Sequence, residues 1–193
     1  MTALPNSVHA HFADLQKALD ATAAHADTVA RWAAELAAMY AAGGRLLTCG
    51  NGGSAAEAQH LSGELVGRFH SERAPLSAIA LHADTSAGTA IVNDYGEEQL
   101  FSRQVRAHAR EGDTLIALST SGTSRNVLAA AKTAQEAGVK VWALTGPAPN
   151  PLATMADDAI PVDATSVATI QEVHLALVHV LCAALDEQLG VPG

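Results

Sequence analysis

The sequence predicts an α/β protein in which a five-stranded parallel sheet is flanked by helices and preceded by N-terminal helices. From residue 45 onward, five short apolar runs alternate with longer helical segments, and this alternation favours a parallel sheet covered on both faces. The 193 residues are 49% apolar, which suits one domain with a sizeable core. The chain shows no internal repeat that would indicate a solenoid or propeller.

The first part of the chain is predicted to be helical. Over residues 7–42, apolar side chains recur at steps of three and four residues, and alanine fills much of the rest. A weaker stretch at residues 22–27 predicts two helices rather than one, and Gly43-Gly44 ends the second. We therefore expect residues 1–44 to form an N-terminal helical segment that packs on the core, and residues 45–193 to form the main domain.

The main domain is read as strands alternating with helices. The predicted strands cover residues 45–49, 77–81, 114–118, 140–144 and 159–162. The predicted helices cover residues 54–69, 97–109, 126–137 and 165–189. Ser54 is the expected cap of the first of these helices. Pro161 lies within the last strand, which indicates the edge of the sheet because proline cannot donate a backbone hydrogen bond.

Composition limits the partners and the compartment. With 20 acidic and 11 basic residues the formal charge is −9, and such a surface repels nucleic-acid phosphates. We find no apolar run of about 18 residues that would span a membrane and no signal peptide. Cys49 and Cys182 provide no disulfide framework, which favours a reducing compartment. We expect a cytoplasmic protein with no nucleic-acid or membrane partner.

The loop Ser119–Ser124 is the first candidate binding site. It carries five hydroxyl groups in six residues, directly after a predicted strand and before a predicted helix. Hydroxyls, backbone N–H groups and the positive end of a helix together suit a phosphate monoester. The alternative is a helix cap with a polar turn, for which one or two hydroxyls would suffice.

The loop Gly50–Ser54 is the second candidate, and it also joins a strand to a helix. Its three glycines allow the backbone to approach a ligand closely. Their spacing fits neither the dinucleotide fingerprint nor the Walker phosphate loop, so a plain tight turn is the alternative. Ligands of parallel α/β sheets bind beyond the carboxyl ends of the strands, where both loops are expected.

Several motifs of the chain occur together in one known family. They are Cys49–Ala56 with Gln59-His60, Asn93-Asp94-Tyr95, Phe101–Gln104, Ser119–Gly122 and Ile170–His174. In these motifs the chain resembles the phosphoheptose isomerases of the sugar isomerase (SIS) domain family, from the N-terminal helices nearly to its end. The resemblance implies the SIS fold, conversion of sedoheptulose 7-phosphate to D-glycero-D-manno-heptose 7-phosphate, and homotetramers with active sites between subunits. It also implies one zinc ion per subunit.

The resemblance also implies roles for individual residues. The phosphate would be held by Ser119, Thr120, Ser121 and Ser124. The sugar would be bound by Asn51, Gly52, Gly53, Ser54, Arg68, Asn93, Asp94 and Gln171. The zinc ligands would be His60, Glu64, Gln171 and His179. Glu64 and His179 would form the acid/base pair.

Helix geometry allows part of this set to be checked. His60 and Glu64 are four residues apart and share a helix face, although such a pair is also common on ordinary amphipathic helices. Gln171 and His179 are eight residues apart, about 12 Å along a helix. Either Gln171 lies at or before the helix start, or the two residues come from different subunits. Since Glu64 would be both ligand and base, the metal either leaves or shifts during turnover or acts as a Lewis acid.

Two other functions remain open at this stage. A related SIS protein binds the replication initiator DnaA without catalysis, but it lacks counterparts of Glu64 and His179. A sugar-phosphate sensor could share the whole site.

The chain departs from the family pattern in the proline-rich loop 146–151, at Thr123 and at Thr169. His174 is expected to support the site or the fold. The wide apolar faces of the first and last helices favour association of copies.

Overall fold

A computed structural model describes residues 6–192 of the chain. Its strands are β1 (Leu46–Cys49), β2 (Ala78–Ala80), β3 (Thr114–Ser119), β4 (Lys140–Thr145) and β5 (Asp158–Pro161). Its helices are α1 (Asn6–Thr22), α2 (Ala26–Ala41), α3 (Gly53–Val66), α4 (Thr85–Tyr95), α5 (Gln99–His108), α6 (Arg125–Glu136), α7 (Pro151–Met155) and α8 (Val167–Gln188). Residues 1–5, at the start of the predicted N-terminal segment, lie outside the described residues. So does residue 193, at the end of the predicted main domain.

The five strands form one parallel sheet in the order β2-β1-β3-β4-β5, which confirms the predicted fold class. From β1 the chain moves outward to β2 and then returns to the other side of β1 to form β3. The strand order therefore reverses between β1 and β3, and the loops that follow these two strands diverge to form a crevice at the sheet's carboxyl edge. Pro161 ends β5, an edge strand, as predicted.

Two hydrophobic layers cover the two faces of the sheet, and strand β3 supplies both. Ile116 and Leu118 pack with α2, α3 and α8, whereas Leu115 and Ala117 pack with α5 and α6. All four side chains are fully buried. Burial on both faces explains why the strand is a continuous apolar run rather than an alternating one.

Helix α2 is anchored to the sheet through aromatic stacking. The rings of Trp32 and Trp142 lie parallel, with centroids 4.6 Å apart, and the Trp32 indole donates a hydrogen bond of 2.7 Å to the Asp158 carboxylate. Burial opposes the charge on Asp158, but hydrogen bonds from Trp32 and Arg31 outweigh it and lower the pKa of that carboxyl group. Both tryptophans are buried packing residues of the core.

The N-terminal segment forms two helices, as the weak stretch at residues 22–27 predicted. A 3₁₀ turn at Ala23–His25 separates α1 from α2, and both helices pack against α8. The boundary proposed at residue 44 stays a prediction.

Both ends of α3 differ from the sequence expectation. The cap residue is Gly52, whose φ of 56° makes the turn into the helix, so Ser54 is not the cap but a buried residue of the first turn. The helix ends at Val66 instead of continuing to residue 69, because Gly67 leaves the helical conformation with ψ at −117°. Arg68 consequently lies in the following loop.

Two helices were not predicted. In α4 the Asp84 side chain accepts a hydrogen bond from the N–H of Ala87, and in α7 Asn150 accepts one from Ala153. Both are N-terminal caps of the usual kind. The α4 sequence contains one glycine and four β-branched residues among its eleven, and these have low intrinsic helix propensity. Helix α7 is only five residues long.

Helix α8 bears on the expectation that the chain has no membrane-spanning segment. Its 22 residues are long and apolar enough to cross a bilayer by length and composition alone. In the fold it is a core helix that packs against α1, α2 and α3, with His174 and Asp186 buried among its apolar residues. A buried core helix passes the same compositional test, so this finding is weak evidence for a membrane span.

Candidate active site

The two candidate loops meet at the crevice between β1 and β3. The side-chain amides of Asn51 and Asn126 exchange two hydrogen bonds of 2.8 and 2.9 Å. Asn126 lies in the first turn of α6, and its side-chain oxygen also accepts a hydrogen bond from the N–H of Val127. Sequence reasoning missed Asn126, although its position two residues after the hydroxyl-rich loop was an available signal. The pair fixes the glycine-rich loop beside the hydroxyl loop.

The predicted phosphate residues gather in one turn. The Ser119 hydroxyl lies 3.2 Å from that of Ser124 and 3.5 Å from that of Ser121, and it accepts the N–H of Gly122. Ser124 occupies the cap position of α6, but its hydroxyl makes no capping bond. Because the hydroxyls contact one another instead of the helix, the arrangement favours an anion cradle at the positive helix end over a simple cap.

Gln171 lies at the glycine-rich loop. A Cβ atom on Gly53 would overlap the amide group of Gln171, so these two residues pack face to face where α3 begins. Gln171 is in the second turn of α8, and the alternative that it lies at or before the helix start is wrong. Within one chain, Gln171 belongs with the sugar-binding candidates Asn51, Gly52 and Ser54.

Three of the four predicted metal ligands form a cluster further along α3. The Nε2 atom of His60 lies 2.9 Å from the Nε2 atom of His179 and 3.2 Å from a Glu64 carboxylate oxygen. Two imidazoles and one carboxylate are a known donor set of catalytic zinc sites, and their ligand atoms lie within 4.8 Å of one another. The cluster therefore fits a zinc ion and is equally suited to exchange of protons.

The cluster and the loops lie at different positions along one chain. Helices α3 and α8 pack side by side, with Gly53 beside Gln171 at one end and His60 beside His179 further on. Glu64 follows Gly53 by eleven residues, about 16 Å along the helix. One chain thus carries two separate candidate half-sites, the loop residues around Gly53 and Gln171 and the cluster of His60, Glu64 and His179.

The remaining predicted sugar ligands lie on exposed segments. Arg68 donates a hydrogen bond of 3.3 Å to the His70 carbonyl oxygen, and Asn93 donates one of 2.7 Å to the Asp94 carboxylate at the end of α4. Asn93 also lines a groove of about 490 Å³ together with His82. Both ring nitrogens of His82 are buried without a hydrogen-bond partner in the described chain, and burial lowers the pKa of this histidine.

Buried polar groups surround the site. His174 is fully buried, with Nε2 3.1 Å from the Thr145 carbonyl oxygen and Nδ1 3.8 Å from the Glu57 carboxylate.

Burial raises the pKa of the Cys49 thiol to about 12. Burial, reinforced by the charges of Glu64 and Asp186, does the same for Cys182. Both cysteines are buried in the core, which disfavours a role as nucleophiles.

Comparisons with known proteins identify the family of this chain. A model of the SIS domain family matches residues 10–146. The phosphoheptose isomerase of Streptomyces coelicolor is 59% identical over 179 residues, which cover 93% of this chain and 78% of that protein. The phosphoheptose isomerase of Thiobacillus denitrificans is 47% identical over 96% of both chains.

Solved structures agree as well. The phosphoheptose isomerase from Neisseria gonorrhoeae superposes with a TM-score of 0.88 at 41% identity, over 94% of this chain and 97% of that one. The one from Francisella tularensis gives a TM-score of 0.89 at 37% identity over the same shares of the two chains. With its five-stranded parallel sheet, its hydroxyl cradle and its His/Glu cluster, the chain belongs to the phosphoheptose isomerases, a family of SIS-domain enzymes.

Proposed function

We propose that this chain interconverts sedoheptulose 7-phosphate and D-glycero-D-manno-heptose 7-phosphate, with Glu64 and His179 as the acid/base pair. The observation that carries the assignment of roles is the cluster in which His60 contacts both Glu64 and His179. It combines a carboxylate with imidazoles, which are the usual groups for proton transfer near neutral pH. The reaction itself, an aldose–ketose isomerisation, is inferred from membership of the family.

The reaction moves one proton between adjacent carbons. In the proposed mechanism, the Glu64 carboxylate takes a proton from C1 of the ketose, which leaves an enediol(ate). The same proton, or one exchanged with solvent, is returned to C2. The proton on the C1 oxygen is transferred to the C2 oxygen, so that C1 becomes the aldehyde and C2 carries the hydroxyl. His179 holds or moves the proton between the two sugar oxygens. A base and an oxygen-facing partner are the two groups that this chemistry needs.

The hydroxyl loop would bind the phosphate and fix the sugar's position. Its donors lie at the positive end of α6, where a dianion is stabilised without lysine or arginine. Asn51, Ser54 and Gln171 would contact the sugar hydroxyls, with Arg68, Asn93 and Asp94 completing the pocket. Binding energy from the phosphate would then be used to orient C1 and C2 for proton transfer.

The separation of the two half-sites supports active sites shared between subunits of a homotetramer. The phosphate cradle of one subunit would face the Glu64 and His179 of another. Gln171 of the subunit that supplies the cradle would then join the cluster. An apolar cavity of about 290 Å³ between α1, α2 and α8 and the exposed side chains of Phe12 and Val180 supply surface for association. Exposed apolar patches of this kind commonly mark subunit contacts.

We also propose zinc as a resident metal. His60, Glu64 and His179 would hold it, with Gln171 as the fourth ligand. When bound, zinc would act as a Lewis acid on the sugar oxygens. Glu64 would be a weaker base while it is a ligand, so the zinc dependence of turnover distinguishes an activating from an occupying metal.

The proposed location is the cytoplasm. The two cysteines are buried and unpaired, which agrees with a reducing compartment. The initiator-binding function is not favoured, since the chain matches the isomerases over nearly its whole length. A sensor that binds the sugar phosphate without turnover is the second outcome that the following experiment distinguishes.

The test is turnover of sedoheptulose 7-phosphate by the purified protein, with and without zinc, for the natural chain and for Glu64→Gln. The amide keeps the shape but removes the base, so kcat is expected to fall by about 100-fold or more. Glu111→Gln is the matched control, because Glu111 is exposed in the loop before β3 at the opposite edge of the sheet.

Activity that is lost in Glu64→Gln and kept in Glu111→Gln would support both the reaction and the base. Turnover that survives in Glu64→Gln would contradict the role of Glu64. If the natural chain binds the sugar phosphate but does not turn it over under any zinc condition, the chain is a sensor.

A further inference from the structure

Arg73 occupies a buried position between the two helices that carry the acid/base cluster. It lies in the loop after α3, and its side chain is only 5% exposed. One guanidinium nitrogen donates a hydrogen bond of 2.8 Å to the carbonyl oxygen of Glu64, and another donates one of 2.9 Å to that of Leu65. These carbonyls belong to the last turn of α3, where helix oxygens lack an internal partner and a cation is favourable.

The same side chain is bonded to α8. Arg73 Nε donates a hydrogen bond of 2.8 Å to the Asp186 carboxylate, which is 9% exposed. The second Asp186 oxygen is buried without a partner in the described chain, so Arg73 alone compensates this charge. Asp186 follows His179 by seven residues, about two turns, and lies on the same face of α8.

We propose that Arg73 is a positioning residue that sets the register of α3 against α8 and so places the Glu64 carboxylate against His179. It bonds the main chain of Glu64 itself and the carboxylate two turns beyond His179. A slip of one residue along a helix is about 1.5 Å, and a misplacement of about 1 Å can lower a rate by two orders of magnitude. The proposal rests on the proposed role of Glu64 and His179.

The contacts explain why the residue is arginine. The planar guanidinium bonds a carboxylate and three carbonyls, those of Glu64, Leu65 and Ala74, in a fixed geometry. A lysine ammonium is a point charge on a flexible stem. Arg73→Lys therefore keeps the buried charge but loosens the register. Arg73→Ala would leave Asp186 as an unpaired buried charge, which is strongly destabilising, so the lysine variant and Asp186→Asn are the informative changes.

The experiment measures kcat and KM of folded Arg73→Lys and Asp186→Asn, with Arg45→Lys as the matched control. Arg45 also pairs with a buried aspartate, Asp113, at a distance of 3.5 Å, but at the amino edge of the sheet. We expect kcat of Arg73→Lys to fall by about 10- to 100-fold, because the reacting groups are displaced. KM should change less than threefold, since the phosphate loop on β3 and α6 is untouched.

A crystal structure of Arg73→Lys supplies a readout that does not depend on activity. We expect the His60 and Glu64 side chains of α3 to move away from His179 of α8 while the Ser119–Ser124 loop is unchanged. An unchanged kcat, an equal loss in Arg45→Lys, or an undisplaced Glu64 would overturn the proposal. If the natural chain turns over no sugar phosphate, the proposed function fails by itself, and the position of Glu64 in the variant structure still decides the role of Arg73.

Discussion

At the scale of single residues, the hydroxyl of Ser121 has three partners within the hydroxyl-rich loop. Its oxygen accepts the N–H of Thr123 at 3.2 Å and the Thr123 hydroxyl at 3.0 Å, and it lies 3.5 Å from the Ser119 hydroxyl. With these acceptor positions in use, the Ser121 O–H is free to point toward an anion. Thr123, a departure from the family pattern, thus takes part in orienting the cradle.

Ser121→Ala is expected to raise KM for the sugar phosphate by about tenfold or more, because a hydrogen bond to a charged group contributes about 1.5–3 kcal/mol. The turn keeps its backbone bonds, so thermal stability should change little. Steady-state kinetics and competition by inorganic phosphate measure the effect. Ser7→Ala in α1 is the control, and an equal KM in the two variants would contradict the phosphate cradle.

Residues of the site differ in how far sequence could identify them. Ser119 and Gly53 stand in compact motifs directly after strands, where the position of a loop in an α/β fold already indicates a ligand. Arg73 has no such signal, because its partners are 8, 9 and 113 positions away. Such a contact arises only when α3, α8 and the connecting loop are packed together.

At the scale of elements, the close approach of α3 to α8 decides the geometry. Gly53→Ala would place a methyl group on the Gln171 amide, so we expect Gln171 to be displaced and KM to rise. On the same helix, a Cβ at Gly63 would meet nothing within 4 Å, and Gly63→Ala should stabilise the protein by about 1 kcal/mol.

Kinetics and thermal unfolding of the two glycine variants separate these effects. Gly53→Ala should impair substrate binding, whereas Gly63→Ala should raise the melting temperature. Normal substrate binding in Gly53→Ala would show that the position of Gln171 is not critical.

Sequence patterns were sufficient to predict most of the strands and helices. All five strands and the long helices were predicted within about three residues, because burial on both faces of a parallel sheet leaves long apolar runs. Helix α4 was missed, since its glycine and its threonines and other β-branched residues disfavour helix. It is capped by Asp84 and packed on the next helix, α5, and these contacts compensate for its low intrinsic propensity.

At the scale of the whole molecule, the separated half-sites predict complementation between inactive variants. Ser121→Asp would put a negative charge in the phosphate cradle, and Glu64→Gln removes the base. If the two half-sites come from different subunits, co-expression of the two variants creates some sites in which both halves are natural. We expect activity well above the sum of the two variants measured alone.

Co-purification of the two variants through different affinity tags checks that they assemble together, and light scattering on that sample should show a tetramer. Mixed tetramers without recovered activity would mean that each active site is built from a single chain. A monomer at micromolar concentration would contradict the shared site directly.

The stacked pair of Trp32 and Trp142 has a consequence for optical spectroscopy. These are the two tryptophans of the protein, and both lie in the core between α2 and β4, 1% exposed. Intrinsic fluorescence and near-ultraviolet circular dichroism therefore report on one buried spot, on the opposite side of β4 from the helix α6 that begins at the phosphate loop. Their signal follows the docking of the N-terminal helices on the sheet, and titrations of substrate or metal call for a probe placed at the loops.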